Sequence, residues 1–341
     1  MSTPPKVGTL IINLGTPRSA EVDDVRVYLK QFLNDPRVLD INPVVRWFLL
    51  TFIILRSRPA ESAHAYKTIW TDQGSPLMVH SEALVELLRA RMPDRIFALG
   101  MRYGEPSIES ALDALAAAQV DKVVVAPLYP HYASSSTGTA LEVVYKRAAE
   151  LWNVPSIQVL PPFYDAPGFL ASWVAVCQRA FAAFEPDHVL FSYHGLPERH
   201  VQKSDPTGRH CLAAEGCCDA IVDANRHCYR AQCYATTRAL LPLLGLKAEG
   251  ISVTFQSRLG KDPWIKPYTD EALPELARRG VKRLSVVCPA FVADCLETLE
   301  EIGMRAKADF VAAGGEDLQL VPSLNAEPVW ADALVELLRA L

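Results

Sequence analysis

The 341-residue chain is half apolar and about a fifth charged, with a formal net charge of −5. That balance belongs to a globular protein of roughly two domains at ~150 residues each, long enough to bury a core. Lys and Arg are scattered rather than striped, so no basic face exists to neutralise a phosphate backbone, and nucleic acid is excluded as a partner.

The opening "MSTPPKVGTLIINLG" lacks the charged, apolar and small-residue regions of a signal peptide, and its apolar run reads as a first strand. The chain is therefore expected in the cytoplasm. The stretch "VVRWFLLTFIIL" over residues 44–55 is shorter than the ~20 residues of a membrane span and contains Arg46. Apolar content alone makes it a buried helix. The functional alternative is a greasy lip that meets an apolar ligand or a membrane surface.

Further β-branched runs follow in "RIFALGMRYG", "KVVVAPLYP", "HVLFSYHGLP", "GISVTFQSRLG" and "RLSVVCPAF", alternating with longer helical patterns as βαβ units do. The order repeats. "GEPSIESALDALAAAQVDKVVVAPLYP" can be laid on "IKPYTDEALPELARRGVKRLSVVCPAF", and "LIINLGTP" resembles "LFSYHGLP". This predicts an α/β protein of two similar Rossmann-like domains, each a parallel sheet flanked by helices. Residues 1–160 carry the lip, and residues 161–341 carry a Cys-rich insert at 205–235 and a closing helix, "LNAEPVWADALVELLRAL". In such folds ligands lie at the C-terminal ends of the strands. No GxGxxG and no P-loop follows any strand, which disfavours a Rossmann-type cofactor.

His194 ends the strand "VLFSY" and precedes Gly195 and Pro197, so a turn projects its imidazole into the ligand crevice. A lone histidine at a strand end is more often structural than catalytic. Farther on, "FVADCLETLEEI" reads as a helix start with Asp294 and Glu297 spaced i, i+3 on one face. Such acids are ordinarily dipole partners or caps. A histidine facing a carboxylate across an apolar crevice could also shuttle protons and pass a divalent metal.

"LIINLGTP", "PLYPHYASSSTGT", "FSYHGLPERH", "TFQSRLG" with "PWIKPYTDE", and "PAFVADCLETLEEI" resemble, in order and over nearly the whole chain, the sequence blocks of the ferrochelatase family. The resemblance implies the class II chelatase fold and a lyase that inserts Fe2+ into protoporphyrin IX, the last step of haem biosynthesis. His194 matches the family's active-site histidine, which accepts pyrrole protons or ligates the incoming metal. Glu297 matches its acidic partner across the porphyrin, and Asp294 the outer carboxylate. Arg102, Tyr103, Tyr66 and Trp264 match pocket-lining positions, and Asn13 and Ser136 fall in pocket loops. The family often has His where this chain has Cys295. The lip coincides with the family's hydrophobic mouth, which implies porphyrin uptake at the inner membrane surface and a porphyrin-producing oxidase as a partner.

Cys211, Cys217, Cys218, Cys228 and Cys233 are five of the chain's eight cysteines. In a reducing compartment such a group points to a metal or cofactor rather than a disulfide framework, and thiolate-rich sites hold zinc or iron–sulfur clusters. The spacing lacks paired CxxC knuckles. Some bacterial ferrochelatases carry an internal [2Fe–2S] cluster in such a segment, and the resemblance implies one here. Four ligands suffice. Adjacent Cys217 and Cys218 do not easily aim both sulfurs at one cluster, and Cys233 borders "TTRAL", where cluster-free relatives also carry Cys, so either exclusion stands open. His210 and His227 are substitute ligands or plain surface histidines, and Cys177 and Cys288 read as core. Rival readings are a chelatase for coproporphyrin or cobalt, and an iron–sulfur sensor or porphyrin carrier without catalysis. Retention of both His194 and Glu297 argues against a carrier.

Overall fold

The computed structural model describes residues 5–260 and 262–341. Among the described residues, eight strands form two parallel four-stranded sheets. The first contains β1 (Val7–Gly15), β2 (Arg95–Tyr103), β3 (Lys122–Pro127) and β4 (Ser156–Val159), in the order β2-β1-β3-β4. The second contains β5 (His188–His194), β6 (Ile251–Gln256), β7 (Arg283–Val287) and β8 (Asp317–Leu320), in the order β6-β5-β7-β8. The two orders are the same once strand numbers are shifted, as the internal repeat predicts.

β1 and β3, and β5 and β7, are the inner strands; β1 and β5 are buried along most of their length, so they read as continuous apolar runs instead of alternating ones. Helices cover the faces. The helix Ile108–Ala117 starts at Ser107, whose side chain accepts the Ser110 N–H. It lays Ile108, Ala111, Leu112 and Leu115, one helical stripe, onto Leu10, Ile12, Val123 and Val125. In the second sheet Leu273, Leu276 and Ala277 of the helix Thr269–Arg278 do the same against Leu190, Leu284 and Val286. Each buried leucine of these stripes contributes about 1.5–3 kcal/mol.

The chain divides into two compact units, one of residues up to 129 with 134–161 and 331–341, the other of 130–133 and 162–330. The closing helix is divided between the two units. Its start belongs to the second unit, where Trp330 packs on Phe163 (ring centroids 5.6 Å) and Phe169 (6.0 Å). Its end belongs to the first. There Asp332 pairs with Arg91 at 2.5 Å, and the carbonyls of Leu338 and Leu341 accept from Arg95 (3.0 Å) and Lys122 (2.7 Å).

The stretch 44–55 is not a buried helix. The helix Pro43–Leu49 begins at Asn42, whose side chain accepts the Val44 N–H at 2.9 Å, and passes into a π-turn at Leu50–Ile54. Val44, Val45, Trp47, Phe48, Phe52 and Ile53 are 41–73% exposed, and only Leu50 turns inward. Trp47 and Phe48 rest on Phe52, with centroids 5.7 and 5.0 Å apart, so the exposed face is one aromatic patch. No helix among the described residues is long and apolar enough to cross a membrane.

Candidate active site

His194 is the last residue of β5, in register with Gln256 of β6. Its Nδ1 lies 2.6 Å from the Gly195 carbonyl oxygen. A carbonyl only accepts, so Nδ1 carries a proton, and in the neutral imidazole it is Nε2 that holds the lone pair. Gly195 is required at the next position: a Cβ there would come within 2.8 Å of the Gln256 carbonyl and 3.2 Å of the Trp264 ring. The Gly195 N–H donates to that same Gln256 carbonyl at 2.8 Å, which fixes the turn that aims the imidazole.

The Gln256 side chain is a buried strut. Its Oε1 accepts from Ser192 Oγ (2.7 Å) and the Cys288 thiol (3.7 Å), and its Nε2 donates to the Glu297 carbonyl (2.8 Å). β6 is thereby tied to the short helix Leu296–Leu299, which carries Glu297. The expected pairing of Asp294 and Glu297 on one helical face does not occur. Residues 291–295 are irregular, Cys295 is the N-cap, and its N–H donates to Thr298 Oγ1 at 3.0 Å. Asp294 lies outside the helix and is buried. Its carboxylate accepts from Thr298 (3.0 Å), Asn325 (2.8 Å) and the Ser323 N–H (3.3 Å), which clamps the helix start.

Glu301, which sequence reading passed over, belongs with His194 and Glu297. It opens a π-turn, Glu301–Ala306, one turn after Glu297. Its carboxylate accepts the Ser257 N–H (2.8 Å) and hydroxyl (2.6 Å). Burial pushes that carboxyl above the usual carboxylate range; the Ser257 hydrogen bond and the charge of His194 oppose the rise, and the Glu297 charge adds to it. Burial and the neighbouring Glu297 carboxylate likewise raise the Cys295 thiol, so Cys295 stands as a neutral donor beside that acid. One lone-pair nitrogen and two nearby carboxylates, one of them nearer neutrality than usual, can accept and relay protons.

In the first unit Arg102 and Tyr103 converge on buried Asp35. The Arg102 guanidinium lies 2.5 Å from its carboxylate and Tyr103 Oη 2.9 Å, while Arg102 Nε donates to Thr139 at 2.7 Å and the guanidinium stacks on the Tyr103 ring at 4.4 Å. Asn13, at the end of β1, spans the Leu14 N–H (2.8 Å) and Ser81 Oγ (3.1 Å). Tyr66 is buried edge-on between Tyr28 and Trp70. Ser136 sits in the π-turn Ser134–Gly138. Trp264 belongs to the second unit: it bridges to Pro197, just beyond His194, and its Nε1 donates to the Leu259 carbonyl at 2.9 Å.

The cysteine segment forms turns as far as Cys228, the N-cap of the helix Tyr229–Leu244, which contains Cys233. Asp205 organises it. Though burial opposes ionisation, hydrogen bonds from the Thr207 hydroxyl and the backbone of Cys211, His210 and Thr207 hold its carboxyl below the usual range. Adjacent Cys217 and Cys218 do turn inward together, with sulfurs 3.8 Å apart, contrary to expectation. The chain reverses at Gly216 (φ +64°), where a Cβ would strike Asp219. The Cys228 thiol acts on both Cys211 and Cys218, and all four thiols of this nest are buried. Cys233 is buried against Tyr229, within electrostatic reach of Cys218. Cys177 and Cys288 are core residues. His210 is tied to the Cys217 carbonyl at 3.2 Å, and His227 tilts on Tyr132 at 5.6 Å. Among the described residues, no three His, Cys, Asp or Glu side chains are already set as a metal-binding group.

His131 supplies a test of the buried polar layer behind β5. It is wholly enclosed by Tyr193, Tyr229 and Tyr164, with Nε2 2.9 Å from Thr236 Oγ1, and burial pushes its pKa down to about 3. Below the unfolded value of about 6.5 the unfolded chain takes up a proton that the native state refuses, so stability falls as pH drops from ~6.5 towards the native value. His131→Gln is expected to remove a slope of about 1.4 kcal/mol per pH unit in that range. Urea titrations from pH 7 to 4 check this, and parallel stability curves for both proteins would refute it.

Two matched four-stranded parallel sheets, with a histidine at the end of inner strand β5 and carboxylates after β7, are the arrangement of the class II chelatase fold. SirB from Bacillus subtilis, solved with Fe3+, has that fold, at 14% identity and TM-score 0.55 over 98% of this chain and 94% of its own. So does the sirohydrochlorin chelatase SirB of B. subtilis subspecies spizizenii in complex with cobalt, at 12% identity and TM-score 0.54 over the same shares. The ferrochelatase family profile matches residues 6–341. The chain is 50% identical over 329 residues to the ferrochelatase of Pseudomonas fluorescens strain Pf0-1, covering 96% of each, and 46% identical to that of Coxiella burnetii strain CbuK_Q154, covering 97% and 93%. It belongs to the ferrochelatase family.

Proposed function

We infer that the protein inserts ferrous iron into protoporphyrin IX to form protohaem, as a lyase of haem synthesis. The observation that carries this is the His194 imidazole, with Nδ1 bound to the Gly195 carbonyl and Nε2 outside that bond, in the electrostatic neighbourhood of Glu301, itself beside Glu297. Insertion replaces two pyrrole protons by one Fe2+ without a redox change, so the site must bend a planar ring and accept two protons. Binding energy from the large apolar ring supplies the distortion. His194 Nε2 takes the first proton, and Glu297 and Glu301 receive and relay protons and neutralise charge on the incoming metal. Asp294 acts through position, clamping the turn that presents Glu297. Asn13, Tyr66, Arg102, Tyr103, Ser136 and Trp264 are assigned to holding the ring.

The cysteine segment fits a [2Fe–2S] cluster by donor chemistry: four buried thiols within one run of turns, two of them, Cys217 and Cys218, lining a concavity of about 350 Å³ with Leu212, Gly216, Arg230 and Tyr234. Cys211, Cys217, Cys218 and Cys228 would hold it, with Cys233 outside. A bound cluster would cross-link the turns and place negative charge beside Arg230.

The aromatic patch at 44–55 supports docking of the protein on a membrane surface where porphyrin partitions. Phe48→Ser with Phe52→Ser is expected to abolish flotation with liposomes of mixed zwitterionic and anionic lipid; undiminished flotation would count against it. The function itself is tested by anaerobic turnover of Fe2+ with protoporphyrin IX, followed by absorbance beside coproporphyrin and Co2+. Faster insertion into coproporphyrin, or none into either ring by folded protein, overturns the assignment.

A further inference from the structure

The second unit contains a short mechanical path from the thiol nest to the residue that does the chemistry. Arg230, the second residue of the helix after Cys228, donates from Nη1 to Cys218 Sγ at 3.1 Å. Its Nε and Nη2 both reach the Lys266 carbonyl, each at 3.3 Å. The guanidinium is held flat between these partners by stacking on Tyr234, 4.9 Å from the ring centre. Lys266 belongs to a segment zipped onto the turn that follows His194. The Ile265 N–H donates to the Leu196 carbonyl at 2.9 Å, the Glu198 N–H donates to the Pro263 carbonyl at 3.0 Å, and Trp264 bridges Pro197. The Trp264 ring closes over Gly195, leaving no space for a side chain there.

We propose that Arg230 is a positioning residue that ties the Cys218 turn to the 263–267 segment and so holds Trp264 on the His194 turn. The consequence for porphyrin rests on the reading of Trp264 as a residue that holds the ring. The guanidinium, anchored on the Cys218 sulfur, keeps its fork on the Lys266 carbonyl and the 263–267 segment on the turn at 196–198. Without that anchor Trp264 loses its support from behind. The porphyrin platform loosens while the bond of His194 to the Gly195 carbonyl is untouched, so binding of the ring suffers before proton transfer does.

The experiment uses the full chain purified anaerobically, as wild type, Arg230→Met and Cys218→Ser, and the double variant. Iron and sulfide content and visible absorbance report on the cluster alone. KM for protoporphyrin, kcat, and porphyrin quenching of Trp264, taken as the difference from Trp264→Phe, report on the link. Arg230→Met is expected to raise KM about tenfold with kcat within about twofold, and to weaken the quenching, because one charge-assisted contact is lost. Combined with Cys218→Ser it is expected to add nothing, since both break one path. Additive effects, or wild-type KM and quenching in Arg230→Met, overturn the proposal. Protein without iron or sulfide refutes the cluster reading and leaves the Arg230 and Cys218 comparison to decide the link. If Arg230→Met does not accumulate folded, Arg230→Lys, which cannot fork, takes its place with the same two outcomes.

Discussion

Replacing His194 with alanine is expected to lower kcat for ferrous iron insertion by about 10²- to 10⁴-fold, the range for a positioned general base. Porphyrin affinity should change far less, since the apolar contacts of the ring remain. The expectation follows from the tautomer. With Nδ1 committed to the Gly195 carbonyl at 2.6 Å, Nε2 is the lone pair that the turn presents, and no rotation of the ring substitutes for it without losing that bond. Glu297→Gln removes the charge but keeps the shape and the Gln256 strut, which bonds the Glu297 backbone rather than its carboxylate. It should therefore lower kcat in a fully folded protein. Anaerobic steady-state assays with circular dichroism separate chemistry from folding. A His194→Ala variant with kcat near wild type would remove the histidine from the mechanism.

With the proposed [2Fe–2S] cluster in place, serine at Cys211, Cys217, Cys218 or Cys228 is expected to abolish its visible absorbance and cut bound iron from about two per chain to almost none. Serine at Cys233 should leave both unchanged. The separation rests on where the residues lie. The first four belong to the turns that end at the helix N-cap Cys228, with the Cys217 and Cys218 sulfurs 3.8 Å apart, and Cys233 sits one helical turn inside the following helix with its thiol against Tyr229. Burial raises the Cys211 and Cys217 thiols, and the Cys228 contact with burial raises Cys218, so ligation must release protons and should weaken as pH falls. Iron analysis of the five single variants decides the matter, and retention of the absorbance in any of the first four would sink this ligand set.

The inner strands and their turns were legible because parallel strands buried on both faces leave unbroken β-branched runs, as in "LIINL" and "VLFSY". β4 and β8 were not. Each has four residues at a sheet edge and is half exposed, so neither "SIQV" nor "DLQL" carries a run long enough to separate from a loop. His194 and Glu297 are singled out by motif, but the start of the acidic helix was misplaced, because its N-cap is Cys295 and not one of the usual Ser, Thr, Asp or Asn. Glu301 had a visible signal in its i, i+4 spacing from Glu297. The π-turn that begins there gives no sequence signature, so the second acid was passed over. The turn at Gly216, which lets adjacent cysteines share a nest, is likewise a backbone conformation that residue spacing does not encode.

The division of the closing helix sets an order of events during synthesis. Everything that completes the second unit, ending with Trp330 on Phe163 and Phe169, leaves the ribosome before residues 331–341. The first unit, although translated first, still lacks the partners of Arg91, Arg95 and Lys122 at that moment. Domains otherwise tend to finish in the order in which they emerge. Here the later half can be complete while the earlier one waits, so a nascent chain stalled before residue 331 carries a finished second unit, with its His194 turn, and a first sheet still unsealed.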